Sequence, residues 1–414
     1  MNDSVDKSLF GWWRRAEAPA KRALLAASLG WMLDAFDVML FLLVQKSVMA
    51  DLHFDARAAG TLQSITLLAA AGGGLAFGVI ADRFGRTRAL MASVLLYSIF
   101  TAACGFATSM VELGVFRVCL GLGMGGEWAS GAALVSETWS DRDRGKALGF
   151  MQSSWAIGFG LATVVNWLVQ DVAGLNWRAV FFVGVLPALL TLWVRRRVEE
   201  PPAWKRGRGA SRGASIRRAL SGSMLRVTIA VTLMNTCTLF GWWGFNGWVP
   251  TYLSTPIAEG GIGLNVRWMS ALVVFMQAGM WLGYVTFGFL ADAFGRKRTY
   301  VTYLLLAALL IFAYTATRNP WALFALGPVT AYFATGYFSG FGAVTAELYP
   351  TEIRATAQGF TYNLGRIGSA FAPRLVSGLV ANHGYASAFT LTAVAFLAAA
   401  FFWLFIPETR PAEK

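Results

Sequence analysis

Apolar stretches and short polar loops alternate along almost the whole chain. Twelve of the stretches approach or exceed the roughly 20 helical residues that cross a hydrocarbon core about 30 Å thick. They lie at 23–48, 58–80, 89–108, 111–136, 147–169, 177–194, 224–253, 268–290, 299–316, 320–346, 356–381 and 387–406. The pattern predicts an all-α membrane protein with twelve transmembrane helices.

The polar segment 195–223 differs from the other loops in its length and composition. It opens with Arg195, Arg196 and Arg197 and runs into a stretch rich in Gly, Ser and Arg, which is typical of a solvated linker. The linker divides the chain into an N-terminal segment 1–22, a six-helix bundle 23–194, the linker 195–223 itself, a second six-helix bundle 224–406 and a tail 407–414.

The positions of the basic residues predict how the chain is oriented. The sequence has 35 Lys and Arg residues against 22 Asp and Glu, a net charge of +13, and most of the basic residues collect in alternate loops on the side of the N-terminus. The exceptions are Lys46, Arg57, Arg178, Arg267 and Arg318 in the other loops, and Arg117, Arg366 and Arg374 inside apolar stretches. This positive-inside distribution predicts cytoplasmic N- and C-termini in a bacterial inner membrane, with the lipid bilayer rather than nucleic acid as the partner.

The sequence contains no pattern that indicates a cofactor or a catalytic centre. Cys104, Cys119 and Cys237 all lie in apolar stretches, at spacings that suit neither a disulfide framework nor a metal site. The two histidines, His53 and His383, fall in predicted outer loops. We therefore expect no metal, no cofactor and no enzymatic activity.

An internal repeat relates the two predicted bundles. The segment from Gly78 to Arg88 recurs 210 positions later, from Gly288 to Arg298, with seven of eleven residues identical. The same shift maps a second motif at Glu137 and Arg144 onto the second half. Two motifs that share one shift predict two pseudo-symmetric bundles related by an axis along the membrane normal.

The repeated motifs lie in predicted cytoplasmic turns and are rich in charge. We expect Gly78 and Gly288 to allow close helix packing, and Gly85 and Gly295 to occupy turns with positive φ. The charged residues predict a breakable cytoplasmic gate that also anchors the loops, with Glu137 facing Arg144 and Glu347 facing Arg354. The gate candidates are Asp82, Arg83, Arg86, Glu137, Arg144, Asp292, Arg296, Glu347 and Arg354.

Two carboxylates lie near the middle of the first stretch, where charge is expensive. Burying Asp34 and Asp37 in lipid would cost roughly 5–7 kcal/mol on insertion scales, so we expect them to face a cavity instead. They are three residues apart and project from one helical face. A close pair of carboxylates suits proton coupling; the alternative is a static ion pair with an Arg of a neighbouring helix. Glu127 is a third proton candidate, with a structural ion pair as its alternative.

These motifs resemble a known family. The segment Gly78–Arg88 is similar to the signature of the major facilitator superfamily between its second and third spans, and Leu113–Gly123 is similar to its fourth-span motif. Asp34–Asp37, Gly125–Glu127 and Tyr362–Arg366 further resemble proton symporters for organic acids of the sialate, aromatic-acid and monocarboxylate branches. The resemblance implies the major facilitator fold and alternating access, with protons taken by the acidic site of the first span.

Arg366 lies about ten residues into the eleventh stretch, near the predicted middle of the membrane. A guanidinium at this depth needs an anion, and its two N–H groups match a carboxylate. We expect it to bind the carboxylate of a substrate; the alternative is a permanent ion pair with Glu127 or Asp37. The further candidates for substrate binding are Asn363, Gln277, Tyr337 and Tyr362.

The predicted function is proton-coupled symport of a small organic anion, by a protein that works as a monomer. Two other hypotheses stay open at this point. The first is a sugar or polyol transporter of the same fold, in which Arg366 is a structural partner of a buried acid. The second is a solute sensor that does not transport.

Overall fold

The computed structural model describes residues 11–140, 143–200, 218, 220–350 and 353–409, and these residues form helices and loops without a strand. The helices are α1 (Gly11–Arg15), α2 (Ala18–Asp51), α3 (Ala56–Phe84), α4 (Arg86–Cys104), α5 (Met110–Thr138), α6 (Arg144–Trp167), α7 (Trp177–Val183), α8 (Ala188–Arg197), α9 (Gly222–Asn246), α10 (Val249–Ser254), α11 (Val266–Phe294), α12 (Arg296–Ala316), α13 (Pro320–Thr335), α14 (Phe341–Leu348), α15 (Arg354–Ser369) and α16 (Ala372–Phe402). A π-helical turn, Leu168–Val172, extends α6, and single 3₁₀ turns lie at Ile257–Glu259, Gly336–Gly340 and Trp403–Phe405.

The helices account for twelve membrane crossings. Nine helical stretches of the described chain are long and apolar enough to cross a membrane, and one of them, Ala357–Phe405, has 49 residues, twice the necessary length. It divides at Gly384, where φ is 79° and the helix kinks. Two further crossings are broken into shorter pieces, α7 with α8 and α13 with α14. The predicted twelve-helix architecture is confirmed.

The repeat in the sequence is a repeat in the structure. Helices α3 and α11 begin and end 210 residues apart, and so do the starts of α4 and α12. The turns between them contain Gly85 at φ 113° and Gly295 at φ 92°, as predicted for turns that favour glycine. The bounds predicted for the two bundles stay a prediction, and most of the linker 195–223 lies outside the described residues.

Some glycines allow two helices to touch at the backbone, but the two glycines that we expected to do so, Gly78 and Gly288, do not. A Cβ added at Gly125 of α5 would lie 1.8 Å from the Ala70 carbonyl oxygen of α3, so only glycine fits there. A Cβ at Gly78 or Gly288 would meet nothing within 4 Å. The expectation for Gly78 and Gly288 is therefore wrong, because both face open space on the helix surface in this conformation.

Hydrogen bonds join the two halves of the molecule at the end opposite to the chain termini, which we call the far end. The Lys46 ammonium group donates to the Ser254 carbonyl oxygen at 2.8 Å. The backbone N–H of Arg374 donates to the Ser64 hydroxyl at 3.3 Å, and the Arg57 side chain donates to Asn382 at 2.5 Å. These contacts hold the far end closed.

At the other end, which we call the termini end, the ion pairs described by the structure stay within one half. Arg15 pairs with Asp143 in the first half, and Arg296 pairs with Glu347 in the second. The two halves meet instead at an aromatic stack between Trp128 of α5 and Tyr362 of α15, with ring centroids 4.5 Å apart and planes 16° apart. The molecule is thus closed at the far end and only partly closed toward the termini.

Candidate substrate site

A cavity lies between the two halves and is lined by both of them. The described residues that line it are Trp31, Met124, Gln152 and Trp155 from the first half, and Leu239, Trp242, Trp243, Tyr284, Phe338, Tyr362 and Arg366 from the second. Seven of these eleven side chains are aromatic, and only one carries a charge. The lining suits a largely apolar solute with one anionic group, but the free volume of the cavity in this conformation is only about 40 Å³, so the halves must move apart before such a solute can bind.

Four tryptophans form a continuous wall of the cavity. The Trp31 and Trp155 rings are 4.6 Å apart between centroids, and Trp155 meets Trp242 and Trp243 edge-on at 5.9 and 6.3 Å. Trp242 and Trp243 are themselves 4.8 Å apart. Because Trp31 and Trp155 come from the first half and the other pair from the second, the wall spans the junction between the halves.

Arg366 supplies the positive charge of the cavity. Its neighbour Gly365 packs directly on Asn235 of α9, where a Cβ would lie 2.9 Å from the Asn235 Cβ. Arg366 is only 6% exposed, and its guanidinium carbon lies 6.0 Å from the centroid of the Tyr362 ring. Its Nη1 atom has no hydrogen-bond partner among the described residues. A buried guanidinium with a free N–H is suited to bind a carboxylate.

Two carboxylates lie within electrostatic reach of Arg366 but do not bind it. Asp34 and Glu127 are fully buried, and the charges of both interact with the charge of Arg366. The carboxylate oxygens of both residues have no hydrogen-bond partner in the described part of the chain. Glu127 packs against α2 at Gly30, where there is no side chain; a Cβ at Gly30 would lie 2.6 Å from the Glu127 Oε1 atom.

Asp37 lies one helical turn beyond Asp34, inside the first half and not on the cavity. It is fully buried beside Thr101 of α4 and Gly184, where a Cβ would be 3.1 Å from the Asp37 Oδ1 atom. The hydroxyl of Tyr97, which donates to the Gly30 carbonyl oxygen at 3.3 Å, is within electrostatic reach of Asp34, Asp37 and Glu127. The two aspartates of the first span are therefore unequal, because only Asp34 lies within electrostatic reach of Arg366. Neither of them lines the cavity, so the expectation that both would face it is wrong.

Arg117 is a second buried cation in the first half. It is 1% exposed, and its guanidinium carbon lies 4.4 Å from the centroid of the Phe41 ring. Its Nε and Nη1 atoms have no partner among the described residues. Among the described residues, the charged groups buried deep within the spans are thus three carboxylates, Asp34, Asp37 and Glu127, and two guanidinium groups; Asp143 and Arg296 are also buried, but they are paired at the termini end. With every group ionised, this dehydrated region carries one unbalanced negative charge.

Of the residues predicted to bind substrate, Arg366 and Tyr362 line the cavity and three others do not. Asn363 donates to the Gly359 carbonyl of its own helix at 2.9 Å and lies at the contact between α15 and α3. Gln277 donates to the Val273 carbonyl at 3.3 Å and packs near Gly160. Tyr337 donates to the Thr238 carbonyl at 3.3 Å, inside the second half. All three donate to backbone carbonyls, but the Gln277 Oε1 atom has no hydrogen-bond partner among the described residues.

Comparison with known proteins places the fold. The family profile described as Major Facilitator Superfamily matches residues 27–260 and 231–414 of the chain. The chain belongs to the major facilitator superfamily. It is a multi-pass membrane transporter and not an enzyme.

Individual members of the superfamily align along nearly the whole chain. The cis,cis-muconate transport protein of Acinetobacter baylyi is 33% identical over 377 residues, which cover 88% of each chain. The sialic acid transporter NanX of Escherichia coli is 28% identical and covers 94% of each chain. The xylose transporter XylE of E. coli, in a partially occluded inward-open conformation, superposes with a TM-score of 0.76 at 19% identity, over 96% of this chain and 100% of that one.

The repeated motifs of the superfamily form matching ion pairs in the two halves. Arg86, the first residue of α4, binds Glu137 at 2.8 Å, and Arg296, the first residue of α12, binds Glu347 at 3.2 Å. Arg296 also binds Asp292. Glu137 and Glu347 thus each pair with an arginine of the preceding motif, a partner that we did not predict. The predicted pairs with Arg144 and Arg354 stay a prediction.

The remaining gate candidates are Asp82, Arg83, Arg144 and Arg354. Arg83 is exposed, and Arg144 is half-buried in the first turn of α6. The side chains of Asp82 and Arg354 lie outside the described part of the structure. Two glutamates that we did not select complete the arrangement: Glu200 accepts from the backbone N–H groups of Thr87 and Arg88, and Glu408 accepts from that of Lys297. An acid at a helix N-terminus is favourable because it meets the positive end of the helix dipole.

The predicted binding residues did not include most of the cavity lining, such as Gln152 and Tyr284, nor the buried Tyr97 near the three acids. Gln152 and Tyr284 line the cavity from opposite halves, and their side chains lie next to each other. Gln152 had a signal, since it is an amide inside an apolar stretch. Tyr284 and Tyr97 had none, because a tyrosine in a membrane helix is most often part of the packing.

Proposed function

We propose that this transporter carries a small organic carboxylate together with a proton by alternating access. Arg366 binds the carboxylate, and Asp34, Asp37 and Glu127 take the proton. The observation that carries the proposal is that Arg366 lies in the cavity with an Nη1 atom that has no hydrogen-bond partner among the described residues. Two buried acids, Asp34 and Glu127, lie within electrostatic reach of it but form no hydrogen bond with it.

The balance of buried charge supports coupling to protons. The interior has one more carboxylate than guanidinium groups, and a carboxylate bound at Arg366 would bring a second unbalanced negative charge into a poorly solvated region. Uncompensated charge in such an environment is costly, so binding of the anion favours binding of a proton. Asp34 and Glu127 are the nearest acceptors of that proton.

The relatives support a carboxylate as the cargo. Muconate and sialic acid, which name two of the aligned transporters, are both carboxylic acids. The xylose transporter is only 19% identical, so its similarity supports the shared fold and says nothing about the substrate of this chain. A sugar or polyol remains the alternative cargo, and it would leave Arg366 without an anion to bind.

We further propose that the protein works as a monomer in a bacterial inner membrane with both termini in the cytoplasm. The basic loops that support this orientation lie at the termini end. In this orientation the closed far end faces the periplasm, and the stack of Trp128 on Tyr362 separates the cavity from the cytoplasm. The pairs Arg86–Glu137 and Arg296–Glu347 then belong to the cytoplasmic gate.

Substitution of Arg366 tests the proposal against the sugar alternative. We expect cis,cis-muconate or N-acetylneuraminate (a sialic acid) to raise the melting temperature of the purified protein, and D-xylose to leave it unchanged. A ligand present at a hundredfold excess over its Kd adds about 2.7 kcal/mol of stability. Arg366→Gln should abolish the shift and Arg366→Lys should weaken it.

The matched control is Arg318→Gln. Among the described residues, Arg318 donates to the loop carbonyls of Gly260 and Gly261, away from the cavity lining, so its loss should leave the ligand-induced shift intact. Stabilisation of Arg366→Gln by the same carboxylate, or stabilisation of the wild type by D-xylose alone, would contradict the proposal.

A further inference from the structure

A tyrosine hydroxyl lies beside the buried acids of the first half. Tyr97 of α4 is fully buried, and its hydroxyl donates to the Gly30 carbonyl oxygen of α2 at 3.3 Å. In an α-helix the same carbonyl also accepts the backbone N–H of the residue four positions later, which here is Asp34. The Tyr97 hydroxyl therefore lies against the turn of α2 that leads to Asp34.

Glu127 reaches the same place from α5. A Cβ at Gly123 would lie 2.7 Å from the Tyr97 backbone nitrogen, so α4 and α5 touch there. Glu127 follows Gly123 by four residues and thus lies on the same face of α5, one turn further on. Its Oε1 atom would lie 2.6 Å from a Cβ at Gly30. The phenol of Tyr97 and the carboxylate of Glu127 therefore both meet α2 at Gly30.

Asp37 lies beside the next turn of α4. Thr101 follows Tyr97 by one turn, and its hydroxyl donates to the Tyr97 carbonyl oxygen at 2.9 Å. Gly184 packs on the Thr101 methyl group, and a Cβ there would lie 3.1 Å from the Asp37 Oδ1 atom. The polar face of α4 formed by Tyr97 and Thr101 thus runs along α2 past Asp34 and Asp37.

The buried charges around Tyr97 come from α2 and α5. Those that act on it are the charges of Asp34, Asp37 and Glu127. Arg366 of the second half acts on Asp34 and Glu127. Arg117 acts on Cys104, which lies two turns beyond Tyr97 in α4. No carboxylate oxygen of the three acids has a hydrogen-bond partner among the described residues, so each acid can receive a donor when it is ionised.

We propose that Tyr97 relays a proton between Asp37 and the two acids near Arg366, so that the three carboxylates work as one proton site. The carboxyl group of Asp37 gives its proton to the Tyr97 oxygen, while the hydroxyl proton of Tyr97 passes to the carboxylate of Asp34 or Glu127. Asp37 is then a carboxylate, and Tyr97 is again a neutral phenol whose hydroxyl turns back to its backbone acceptor. This inference rests on the proposed function, since it assumes that a proton accompanies the carboxylate.

Tyr97→Phe removes the hydroxyl and keeps the ring, and vesicle assays with labelled cis,cis-muconate measure the result. The initial rate of uptake driven by an imposed pH gradient should fall by about tenfold or more, because the proton loses its relay. Counterflow at equal pH on both sides should persist, because exchange moves the loaded carrier without releasing its proton. A merely structural defect would lower both rates alike.

A double variant tests whether Tyr97 and Asp37 serve the same step. Asp37→Asn should give the same split between uptake and counterflow, because it removes the proton donor of the relay. The two substitutions combined should be no slower than either alone, since residues that act in one step are not additive. Losses that multiply would assign the two residues to independent roles and overturn the relay.

The matched control is Tyr314→Phe. Tyr314 is also fully buried, but it lies in the second half, where its hydroxyl donates to the Met276 sulfur at 3.9 Å. Its loss should leave uptake and counterflow at the wild-type rates. A slowing of pH-driven uptake equal to that of Tyr97→Phe would show that any buried hydroxyl matters, which overturns a specific relay.

The outcomes separate this inference from the proposed function. A wild-type rate of pH-driven uptake in Tyr97→Phe, or an equal loss of uptake and counterflow, overturns the relay while the response of the wild type to pH still supports coupled entry. If Tyr97→Phe does not fold, a wild-type rate of pH-driven uptake in Asp37→Asn overturns the relay as well. If the wild type itself does not accumulate muconate in response to a pH gradient, the proposed function fails.

Discussion

At the scale of single residues, the site is defined by charges that the membrane would otherwise exclude. Asp34, Glu127 and Arg366 are buried within electrostatic reach of one another, yet no hydrogen bond joins them in the described chain. This separation leaves the guanidinium available to an anion and the carboxylates available to a proton. A permanent ion pair of Arg366 with either acid would have removed both possibilities.

We predict that Asp34→Asn separates exchange from accumulation. Asparagine keeps the shape of the side chain but cannot take a proton, so the loaded carrier can still turn over while a pH gradient no longer drives it. In vesicles, counterflow of labelled cis,cis-muconate should persist, whereas accumulation should lose the roughly tenfold gain per pH unit expected for one coupled proton.

Asp171→Asn is the control for this substitution, because Asp171 is exposed in the π-helical turn at the far end. It should behave as the wild type in both assays. If Asp34→Asn still accumulates muconate in response to a pH gradient, Asp34 is not the proton site.

Arg366 and Tyr362 of the cavity were predicted from the sequence, whereas three other predicted polar residues, Asn363, Gln277 and Tyr337, do not line it. A charge in an apolar stretch is expensive, so its presence indicates function even before its position is known. A buried amide or phenol is cheap enough to serve packing alone, so its presence in an apolar stretch indicates much less. Only the rotation of each helix decides which face such a residue takes, and no pattern in the chain determines that rotation.

At the scale of the helices, glycine contacts set the position of the acids. Helices α3 and α5 touch where Gly125 lies against the Ala70 carbonyl, two residues before Glu127. Glu127 in turn lies against Gly30 of α2. The close approach of α3, α5 and α2 therefore places a carboxylate beside Asp34 without any hydrogen bond to hold it there.

We predict that Gly125→Ala destabilises the protein and Gly78→Ala does not. The added methyl group at position 125 would overlap the Ala70 carbonyl, and overpacking of this kind costs about 1–3 kcal/mol. Gly78 is also helical, but a Cβ there meets nothing within 4 Å, so it is the matched control. Melting temperatures in detergent measure the difference, and equal values for the two variants would contradict the packing described here.

The elements themselves were predictable to different degrees. The long helices followed from apolar length, and the turns at Gly85 and Gly295 from the repeated motif. The breaks in the tenth crossing, at Gly336–Gly340, and the partners of Glu137 and Glu347 were not predictable. Both depend on which neighbouring helix lies opposite, and that is a tertiary property.

At the scale of the whole molecule, the two halves are joined at the far end and partly separated at the termini end. Hydrogen bonds such as Lys46 to Ser254 must break before the far end can open. The internal repeat predicted two similar bundles but not which end is closed, because both bundles keep their internal structure in either state. The difference between the states lies in contacts across the junction, which the repeat does not contain.

We predict that Gly60→Trp keeps the far end from closing. A Cβ at Gly60 of α3 would already lie 2.2 Å from the Ser377 hydroxyl oxygen of α16, so a large side chain must push the halves apart. Uptake into vesicles should be lost, while the purified protein keeps its affinity for the carboxylate. Gly72→Trp on the same helix faces open space and should transport normally. Normal uptake by Gly60→Trp would show that the far end does not need this contact.

The central claim is that a carboxylate and a proton enter together. Proteoliposomes loaded with a pH-sensitive dye, held at zero membrane potential and given external cis,cis-muconate, test it most directly. We predict that the lumen acidifies as muconate enters. An imposed pH gradient should raise muconate accumulation about tenfold per pH unit for each coupled proton. Protein-free vesicles should show neither effect. Muconate entry without acidification and without any response to the pH gradient would contradict the account.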